Sequence, residues 1–504
     1  MTSPLRPQHP RRTSLSALVA EVGDLEFARP DERGEDPVVT GVSLSSQRVL
    51  PGDLYAALPG ARVHGTEYAA AAVEAGAVAV LTDPTGAERS VGDVPLLVAA
   101  DPRALLGRLA ARVYGDPATR MRMVGVTGTQ GKTTTTRLAE GGLHAAGVPA
   151  AVIGTVGTRV RGADVRTTLT TPEAPDLHGL FAAMVEQGVE ACAMEVSSHA
   201  LVMGRVDGIV FDVAVFLNLG RDHLDFHADV EDYYRAKASL FTPERARLAL
   251  VNVDDEHGRR LAAETAVPVR TFSADGAEAD WRAVDVELHP HGSTFRVLGP
   301  DGLEVAAACP IPGGFNVANT LAAVAACAEA GLGAERVAAG IATGGGVPGR
   351  LERVEAGQDF VVVVDYAHKP DAVEAAVAAL RPVTEGRLVV VIGAGGDRDP
   401  GKRPIMGEIA SRLSDVLVVT DDNPRTEDPA AIRAAVLAGA TGGAEVLEIG
   451  DRRAAIREAL AMARPGDVVL VAGKGHETGQ EVAGVVHPFD DREVVREELE
   501  AVRS

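Results

Sequence analysis

The stretch from residue 121 to residue 136, MRMVGVTGTQGKTTTT, most constrains what this chain can fold into. Met121 to Val126 read as a short buried strand, Thr127 to Gly131 as a glycine-bearing turn, and Lys132 as the start of a helix that continues through threonines. A strand, a glycine loop and a helix N-terminus form a cradle for phosphate, because the loop amides and the helix end carry partial positive charge. The stretch therefore predicts a nucleotide-binding α/β domain.

The spacing within this stretch departs from that of the common phosphate loop. Val126 stands where that loop has its first glycine, and Gly128 lies closer to Gly131 instead. Lys132 would bridge the outer phosphates of a nucleotide, and a following threonine hydroxyl would ligate Mg²⁺. A glycine-rich turn without a ligand is the alternative. The coincidence of strand, loop, Lys, Thr and helix favours the phosphate site.

Composition limits the class of protein. A chain of 504 residues is too long for one hydrophobic core, so we expect two to four domains. The net charge of −22 disfavours a nucleic-acid partner, although an anionic substrate needs only local positive charge. Cys192, Cys309 and Cys327 are odd in number and widely spaced, which argues against a disulfide framework or a CxxC metal site and fits a reducing cytoplasm.

The N-terminal region carries no recognisable targeting or membrane signal. No apolar run reaches membrane-spanning length. Glu21 and Asp24 interrupt the apolar run that follows Arg11 and Arg12, so a secretory signal peptide is not expected. The prolines in residues 1–12 predict a disordered tail there.

Residues 1–118 are predicted to form a first domain. Its most informative segment, 42–65, reads VSLSSQRVLPGDLYAALPGARVHG, with a buried strand between two Pro-Gly turns. Hydroxyl, amide and guanidinium groups around Ser46 stand next to the first turn. Residue chemistry alone leaves open whether this is a plain loop or an anion site. Residues 114–117 read as the linker to the next domain.

A second domain, residues 119–347, is predicted to begin at the phosphate loop. Two of its strands end in polar clusters, the first in Glu195, Ser197, Ser198 and His199, the second in Arg221, Asp222, His223, Asp225 and His227. Open α/β sheets bind ligands just beyond such strand ends. Lys237, on the following helix, is by residue type alone a solvated surface lysine. Asn316 and Asn319 would share one helical face if their helix has already begun.

A third domain, residues 348–504, repeats strand and helix, which predicts parallel βαβ units. Polar side chains follow its strands at Asp365, at 393–398, at 421–425 and at 472–477. Turn and capping residues would account for some of them, but Arg398, Arg425 and Glu477 are poor caps. We therefore predict that the strand ends converge on an edge that binds a zwitterion.

Taken in order, these segments resemble the Mur ligases of peptidoglycan synthesis. The matching segments are VTGTQGKTTT, MEVSSHAL, LNLGRDHLDFH, DYYRAKASLF, FNVANTLAA, PGRLE, VDYAHKPD, GGDRDPGKRP, DDNPRTEDP and AGKGHE. They span nearly the whole chain in the family's order, so the set is far more specific than the phosphate loop alone.

The resemblance implies an α/β protein of three domains: an N-terminal UDP-binding domain, a central P-loop-type ATPase domain with a parallel sheet, and a C-terminal Rossmann-like domain. It also implies a reaction in which ATP phosphorylates the free carboxylate of D-glutamate in UDP-MurNAc-L-Ala-D-Glu. The amine of an amino acid then displaces the phosphate and forms an amide. This order of events fits the chemistry, because a carboxylate acylates poorly until phosphorylation supplies a leaving group.

The resemblance also implies roles for individual residues around ATP. The positions that match ATP contacts are Gly128, Thr129, Gln130, Gly131, Lys132, Thr133, Thr134, Asn319, Arg350 and Asp365. The positions that match ligands of Mg²⁺, two ions in the family, are Thr133, Thr134, Glu195, His223 and Lys237. Lys132, Lys237 and His223 are the implied catalytic residues. Lys237 matches a lysine that CO₂ converts to a carbamate, which reverses the surface interpretation of its residue type.

The remaining implied contacts belong to the other substrates. The UDP-MurNAc-dipeptide side matches Leu44, Ser46, Ala61, Arg62, Val63, Thr170, Thr171, Ser197 and Arg205. Met203 stands where a better-known pattern of the family has Gln, which puts one substrate hydrogen bond in doubt. The amino-acid side matches Arg398, Asp422, Asn423, Pro424, Arg425, Gly473 and Glu477.

The DNPR segment points to diaminopimelate as the amino acid, with the meso isomer as the family default. Arg425 suits a distal carboxylate, because a guanidinium binds a carboxylate through two hydrogen bonds, and lysine-adding relatives lack this Arg. Glu477 would pair with the distal ammonium and Arg398 with a carboxylate. No obligate protein partner is inferred.

Two alternatives come from other functions. Another ligase of the same superfamily, such as a folylpolyglutamate synthase or a different Mur enzyme, would not carry DNPR together with GGDRD and GKGHE. A nucleotide-binding switch without catalysis would not need the cluster of Arg398, Arg425 and Glu477. ATP turnover that depends on both co-substrates would separate a ligase from a switch.

Overall fold

Parallel strands followed by helices dominate the computed structural model, which describes residues 6–28, 36–60, 62–89, 93–167, 169–220, 222–223 and 226–503. The chain divides into two compact units. The first comprises Met1–Arg282 with Leu321–Val337, and the second Ala283–Thr320 with Ala338–Ser504. None of the described helices is long and apolar enough to cross a membrane.

The N-terminal part of the first unit forms a small, mostly parallel sheet. The strands of this part are Thr13–Ser14 (β1), Glu26–Phe27 (β2), Val38–Val39 (β3), Gly41–Ser43 (β4), Asp53–Ala56 (β5), Ala79–Thr82 (β6) and Leu96–Val98 (β7), of which β1 and β3 form a separate antiparallel pair. Its helices are Leu15–Val22 (α1), Ala69–Glu74 (α2), Pro84–Ala87 (α3) and Pro102–Val113 (α4). The sheet order is β2-β7-β6-β5-β4, with β2 antiparallel to its neighbour.

Residues 6–12, for which the sequence predicts a disordered tail, are held by specific contacts. Arg6 Nη1 donates to Asp53 Oδ1 at 2.7 Å, and Arg6 Nη2 donates to the carbonyl of Val42 at 3.0 Å. Two backbone N–H groups further along donate to the Glu186 carboxylate at 2.7 Å each. Charged and backbone hydrogen bonds therefore order this proline-rich segment in place of apolar packing.

The larger sheet of the first unit carries the phosphate loop. Its strands are Arg122–Thr127 (β8), Ala150–Ile153 (β9), Thr158–Val160 (β10), Ala163–Val165 (β11), Ala191–Glu195 (β12), Val213–Phe216 (β13), Ala249–Asn252 (β14), Val269–Ser273 (β15) and the first two residues of Trp281–His289 (β16), whose later residues belong to the second unit. Its helices are Lys132–Ala145 (α5), Ala174–Glu186 (α6), Ser198–Val202 (α7), Val230–Ala238 (α8) and Glu256–Glu264 (α9). The strands lie in the order β11-β10-β9-β12-β8-β13-β14-β15-β16 and run parallel from β9 onward.

The strand that leads into the phosphate loop lies in the middle of this sheet. β8 is flanked by β12 and β13, so the carboxyl ends of three strands surround the loop.

Further along the sheet, Trp281 at the start of β16 pairs with Phe272 and is buried, and its Nε1 donates to Glu329 Oε1 at 2.8 Å.

The second unit contains two antiparallel hairpins and a mostly parallel sheet. Its strands are Gly292–Leu298 (β17), Glu304–Cys309 (β18), Glu352–Arg353 (β19), Val361–Asp365 (β20), Leu388–Ile392 (β21), Val416–Val419 (β22), Glu445–Glu448 (β23), Val468–Ala472 (β24), Gly479–Val482 (β25) and Val485–Pro488 (β26). Two helices lie between β18 and β19 along the chain, Gly314–Glu329 (α10) and Ala334–Ala342 (α11). The later helices are Pro370–Leu380 (α12), Lys402–Leu413 (α13), Pro429–Leu437 (α14), Arg452–Met462 (α15) and Asp491–Arg503 (α16).

The parallel sheet of the second unit has the order β19-β20-β24-β21-β22-β23. β20, β24, β21, β22 and β23 run in one direction, and the valines and leucines of β24, β21 and β22 are buried on both faces, whereas the edge strand β23 is partly exposed. The prediction of parallel βαβ units, with strand ends that meet at one edge, is confirmed.

Candidate active site

The phosphate loop follows β8 as the sequence predicts. α5 begins at Lys132, and Gly131 precedes it with φ of 87°, a left-handed conformation that glycine adopts without strain. Lys132 Nζ donates to the carbonyl oxygens of Gly128 at 2.7 Å and of Thr129 at 3.0 Å. The ammonium therefore lies against a loop whose helix N-terminus already favours an anion.

Side chains from neighbouring elements fix the shape of the loop. Asn218, just beyond β13, accepts through Oδ1 from the backbone N–H of Thr129 at 3.1 Å and of Gln130 at 2.9 Å. The hydroxyls of Thr129 and Tyr233 lie 3.3 Å apart, and burial raises the pKa of Tyr233 to about 12. Side chains of neighbouring elements therefore brace the loop.

Lys237 is a buried lysine, not the solvated one that its residue type suggests. Its side chain lies on α8, is 1% exposed, and donates through Nζ to the carbonyl of Gly128 at 2.8 Å. The Nζ also lies 4.4 Å from the ring centroid of Tyr233. Burial, followed by the positive charge of Lys132, lowers the pKa of Lys237 well below its usual value.

Glu195 ends β12 opposite Val126 in the parallel register, one strand away from the phosphate loop. It is buried, and its carboxylate accepts from the backbone N–H of Thr155 at 2.8 Å and from the Thr155 hydroxyl at 3.1 Å. A Cβ at Gly154 would lie 2.2 Å from Glu195 Oε1, so only glycine leaves room for this carboxylate. The Thr155 hydroxyl in turn lies 3.1 Å from that of Thr170.

His223 lies in a group of aromatic rings beyond β13. Its backbone N–H donates to Asp222 Oδ1 at 2.8 Å, and its Nε2 lies 3.3 Å from Asp222 Oδ2. The ring of His199 meets that of His223 edge-on, with centroids 4.9 Å apart, and stacks on Phe226 at 3.9 Å. His199 and His223, predicted on two different strand ends, are therefore neighbours.

His227 belongs to the same predicted cluster but points elsewhere. Its Nε2 lies 2.9 Å from Ser198 Oγ and its Nδ1 lies 3.1 Å from Asp232 Oδ2. It is buried and ties the segment after β13 to α7 and α8. Arg221 and Asp225 lie outside the described residues.

The donor atoms at this site suit magnesium in kind. The hydroxyls of Thr133 and Thr134, in the buried first turn of α5, and the Glu195 carboxylate are hard oxygen donors. The buried hydroxyl of Thr127, directly before the loop, has no hydrogen-bond partner among the described residues. His223 is a less typical ligand. Within the described ranges, no three His, Cys, Asp or Glu side chains form a metal-binding group by themselves.

Several of the residues that match contacts of the muramoyl-dipeptide lie close together, around Thr171. Its hydroxyl donates to the carbonyl of Glu195 at 2.9 Å and accepts from the backbone N–H of Ser197 at 3.3 Å. Arg205 Nη1 donates to the carbonyl of Thr171 at 3.3 Å, and its Nε donates to Glu173 Oε1 at 2.8 Å. The cluster therefore adjoins the strand end that carries Glu195.

The residues matched to uridine lie in the N-terminal sheet. Leu44 directly follows β4, and Ser46 opens a single turn of 3₁₀ helix. Arg62 and Val63 are exposed. Ala61 lies outside the described residues.

The remaining nucleotide candidates belong to the second unit. Asn319 Nδ2 donates to Asn316 Oδ1 at 3.0 Å, so the predicted shared helical face is confirmed. The Arg350 guanidinium lies 4.7 Å from the ring centroid of Tyr366. The carboxylate of Asp365 accepts from two backbone N–H groups at 2.7 and 2.8 Å, and burial raises its pKa.

Arg425 is held at the sheet edge of the second unit by its backbone and by two side-chain contacts. Its φ is 54°, which turns the chain sharply after Pro424. Its Nη1 donates to the carbonyl of Gly396 at 2.7 Å, and its Nε lies 3.4 Å from Glu481 Oε2. Arg398, on the neighbouring loop, is exposed.

Asn423 and Glu477 meet at the same edge. Asn423 Nδ2 donates to Glu477 Oε2 at 2.9 Å, and Lys474 Nζ donates to Asn423 Oδ1 at 3.1 Å and to Glu477 Oε2 at 3.3 Å. A Cβ at Gly473 would lie 2.6 Å from Asp422 Oδ2, so glycine permits the two strand ends to approach. The edge thus presents carboxylate, amide and guanidinium groups together.

Sequence reasoning did not single out three of these residues: Asn218, His227 as a brace, and Lys474. Each stands within a segment whose other residues carried the prediction. Asn218 precedes the charged cluster after β13, and Lys474 stands three residues before Glu477. Residue type gave no sign that the amide of Asn218 would reach across to the phosphate loop.

A P-loop-like cradle with a carboxylate and a buried lysine, in a chain that also carries a sheet edge with guanidinium, amide and carboxylate groups, is the arrangement expected of an ATP-dependent ligase. Family models match the chain in three regions, described as Mur ligase family, catalytic domain (38–114), Mur ligase middle domain (126–327), and Mur ligase, glutamate ligase domain (349–475). The chain belongs to the Mur ligase family.

Particular relatives narrow the comparison. A UDP-N-acetylmuramoyl-L-alanyl-D-glutamate–2,6-diaminopimelate ligase of Streptomyces avermitilis is 56% identical over 506 residues, which cover 99% of this chain and 98% of the relative. The ligase of the same name from Corynebacterium glutamicum is 49% identical over 479 residues, or 92% of each chain.

Solved structures agree. A structure of a ligase with the same name is 32% identical, with a TM-score of 0.70, and covers 98% of this chain and 100% of its own. A folylpolyglutamate synthase of Mycobacterium tuberculosis complexed with ADP and AMPPCP is 19% identical, with a TM-score of 0.59 over 74% of this chain and 92% of its own. At that identity the second likeness concerns the fold alone.

Proposed function

We propose that the protein is an ATP-dependent amide ligase that joins diaminopimelate to the side-chain carboxylate of D-glutamate in UDP-MurNAc-L-Ala-D-Glu, a step of peptidoglycan synthesis. The observation that carries the proposal is 56% identity, over nearly the whole chain, to a ligase of that name. The braced phosphate loop and the guanidinium–carboxylate edge support it, because the reaction needs a phosphate site and an amino-acid site.

The proposed chemistry has two steps. The D-glutamate carboxylate attacks the γ-phosphorus of ATP, and ADP leaves with the bridging oxygen. The amine of diaminopimelate then attacks the acyl carbon, the C–O bond to phosphate breaks, and the amine loses a proton to give the amide. Lys132 would stabilise the charge that develops on the transferring oxygens, which is the main contribution a protein makes to phosphoryl transfer.

Thr133, Thr134, Glu195 and His223 would hold magnesium, with Lys237 as a further ligand after carbamylation. When bound, Mg²⁺ supplies charge neutralisation at the phosphate oxygens. The neutral amine of Lys237 would attack CO₂ and release a proton, which converts a cation into an anion with carboxylate oxygens. The burial of Lys237 and the lowered pKa of its ammonium favour the neutral amine that this addition requires.

The other substrates would take the positions that the family pattern assigns them. Asn319, Arg350 and Asp365 would contact the nucleotide. Leu44, Ser46, Ala61, Arg62, Val63, Thr170, Thr171, Ser197 and Arg205 would contact UDP-MurNAc-dipeptide. Arg398, Asp422, Asn423, Pro424, Arg425, Gly473 and Glu477 would contact diaminopimelate.

A product assay tests the proposal directly. The purified protein is given ATP, Mg²⁺ and UDP-MurNAc-L-Ala-D-Glu, with meso-diaminopimelate, LL-diaminopimelate or L-lysine in separate reactions. We expect a tripeptide product and stoichiometric ADP with diaminopimelate, the meso isomer being preferred, and little of either with lysine. ATP turnover that ignores both co-substrates, or a preference for lysine, would contradict the proposal.

A further inference from the structure

Lys474 lies at the centre of the candidate amino-acid edge. It directly follows Gly473 at the end of β24, and its side chain is fully buried. Its Nζ donates to Asn423 Oδ1 at 3.1 Å and to Glu477 Oε2 at 3.3 Å, and it lies 3.9 Å from Asp422 Oδ1. An ammonium has three donors and no acceptor, and here two of the donors are used in hydrogen bonds to Asn423 and Glu477, with the Asp422 carboxylate as a nearby counter-charge.

The choice of lysine at this position is unusual for this chain. The chain has 49 Lys and Arg residues in total. Its lysines are Lys132, Lys237, Lys369, Lys402 and Lys474, and all the rest are arginines. A guanidinium is planar and directs its donors as a fork, whereas an ammonium is compact and donates in three directions from one atom. The compact ammonium suits a buried point at which two oxygens accept from one nitrogen and a third residue supplies a carboxylate nearby.

Charge explains what this ammonium does for a ligand. Asp422 and Glu477 bring two carboxylates to the edge and Arg425 brings a guanidinium, while the charge of the buried Arg452 also acts on both carboxylates. The distal end of diaminopimelate carries one ammonium and one carboxylate. Lys474 is the cation that hydrogen-bonds to Glu477, so its loss would increase the negative charge that a ligand with an extra carboxylate meets at this contact.

We propose that Lys474 is a positioning residue that determines specificity: it fixes Asn423 and Glu477 and offsets their negative surroundings, so that the edge accepts an amino acid with a second carboxylate. The proposal rests on the proposed function of the same edge. Lys474 acts through its neighbours, since its ammonium is enclosed by them.

The test compares steady-state kinetics of Lys474→Met and Lys474→Gln with the wild type. We expect the KM for diaminopimelate to rise at least about tenfold, as for loss of one buried charged contact, while the KM values for ATP and UDP-MurNAc-dipeptide stay within about threefold. The preference for diaminopimelate over L-lysine should fall by a similar factor. Glu477→Gln added to Lys474→Met should cost less than the two single effects combined, because both act on one contact.

Arg387→Met is the matched control. Arg387 pairs at 2.8 Å with the buried Asp467, which directly precedes β24 at the end opposite to Lys474. Replacing Arg387 therefore also leaves a buried carboxylate without its cation. We expect it to lower the melting temperature without a selective change in the KM for diaminopimelate.

Three outcomes overturn the proposal. Equal changes in all KM values, additive effects of the Lys474 and Glu477 substitutions, or two Lys474 variants that fail to fold would each make Lys474 a structural residue. A wild type that does not use diaminopimelate at all would instead refute the proposed function, so the two failures are distinguishable.

Discussion

Two lysines share one carbonyl oxygen, since Lys132 and Lys237 both donate to Gly128. Burial, and after it the positive charge of Lys132, lowers the pKa of Lys237, so that Lys237 loses its proton more readily. The arrangement gives the two lysines different chemistry within one loop. Lys132 opens α5 at the predicted phosphate site, and Lys237, with its lowered pKa, is disposed to react as an amine.

The role of Lys132 is tested by Lys132→Ala. We expect amide formation to fall by at least a factor on the order of 10², since loss of one preorganised charge stabiliser has effects of this size. The measurement is ADP and tripeptide production, with circular dichroism to verify folding. Arg122→Ala, at the exposed start of the strand β8 that leads into the phosphate loop, is the control and should retain wild-type turnover. Near-wild-type activity of folded Lys132→Ala would contradict the phosphate-site assignment.

Lys237→Ala should lose most activity, and added acetate or formate should restore part of it. The physical reason is that a small carboxylate can occupy the space of the missing carbamate and supply its oxygens. Arg235→Ala, at an exposed position of the same helix, serves as the control and should be active without rescue. Mass analysis of native wild type that finds only unmodified Lys237, with a fully active Lys237→Ala, would rule the carbamate out.

Arg425→Ala should impair the use of diaminopimelate far more than the use of ATP. Loss of a partly buried charged contact costs roughly 2–5 kcal/mol, and each 1.4 kcal/mol is about tenfold in affinity. The KM for diaminopimelate should therefore rise at least about tenfold, whereas that for ATP should change by no more than a few-fold. Equal losses for both substrates would show that Arg425 serves the fold and not the amino acid.

At the scale of single elements, α6 contains a buried histidine that makes stability depend on pH. His178 is fully buried and lies 3.1 Å through Nε2 from the carbonyl of Asp207. Burial lowers the pKa of His178 from 6.5 to about 4. The unfolded chain therefore binds a proton at higher pH than the folded chain does. Stability from this group is complete above pH 6.5 and is lost as the pH falls toward 4.

We expect the loss from His178 to reach about 2 kcal/mol between about pH 7.5 and about pH 5. His178→Gln keeps a donor for Asp207 but cannot titrate, so its unfolding free energy should fall less over this range. Urea titrations at both pH values measure the difference. The exposed His144→Gln should retain the pH dependence of the wild type. If His178→Gln lost as much stability as the wild type, the pH dependence would come from other groups.

Local pattern predicted the elements well where burial and turn chemistry agree. The strand 388–392 and the helix that begins at Lys132 lie where the sequence puts them, because valine-rich strands and a glycine before a helix permit few other conformations. Contacts between distant segments could not be read this way. The placement of Lys237 against Gly128, 109 residues apart, depends on which strands become neighbours in the sheet.

The same limit applies to the candidate site. Family resemblance selected Glu195, His223 and Arg425, but not the residues that hold them. Lys474 lies between Asn423 and Glu477 only because β24 and β22 flank β21. A hydrophobic repeat of 3.6 residues in a helix or 2 residues in a strand does not indicate which strands become neighbours, since it describes one element at a time.

At the scale of the whole molecule, the chain carries a net charge of −22 yet is proposed to bind anionic substrates. Local cations make this possible. Lys132 and Lys237 lie at one loop, and Arg425, Arg403 and Lys474 lie near one sheet edge. Screening at physiological salt confines the field of the remaining carboxylates to about 8 Å.

Trp281 has a consequence for spectroscopy. It is the sole tryptophan of the chain, it is buried at the start of β16, and its indole hydrogen-bonds to Glu329. Its fluorescence should therefore emit at short wavelength and shift to the red only when the first unit unfolds. No label is needed to follow that unit alone.

Phe181→Ala, in the core of the first unit, should move the fluorescence midpoint in urea to lower concentration, because such a truncation costs about 3–5 kcal/mol. Val469→Ala, in the core of the second unit, should leave the fluorescence midpoint in place and shift only part of the circular-dichroism transition. Equal shifts of both signals in both variants would mean that the two units unfold as one. The emission of this one indole ring therefore reports whether the two units of the chain unfold cooperatively.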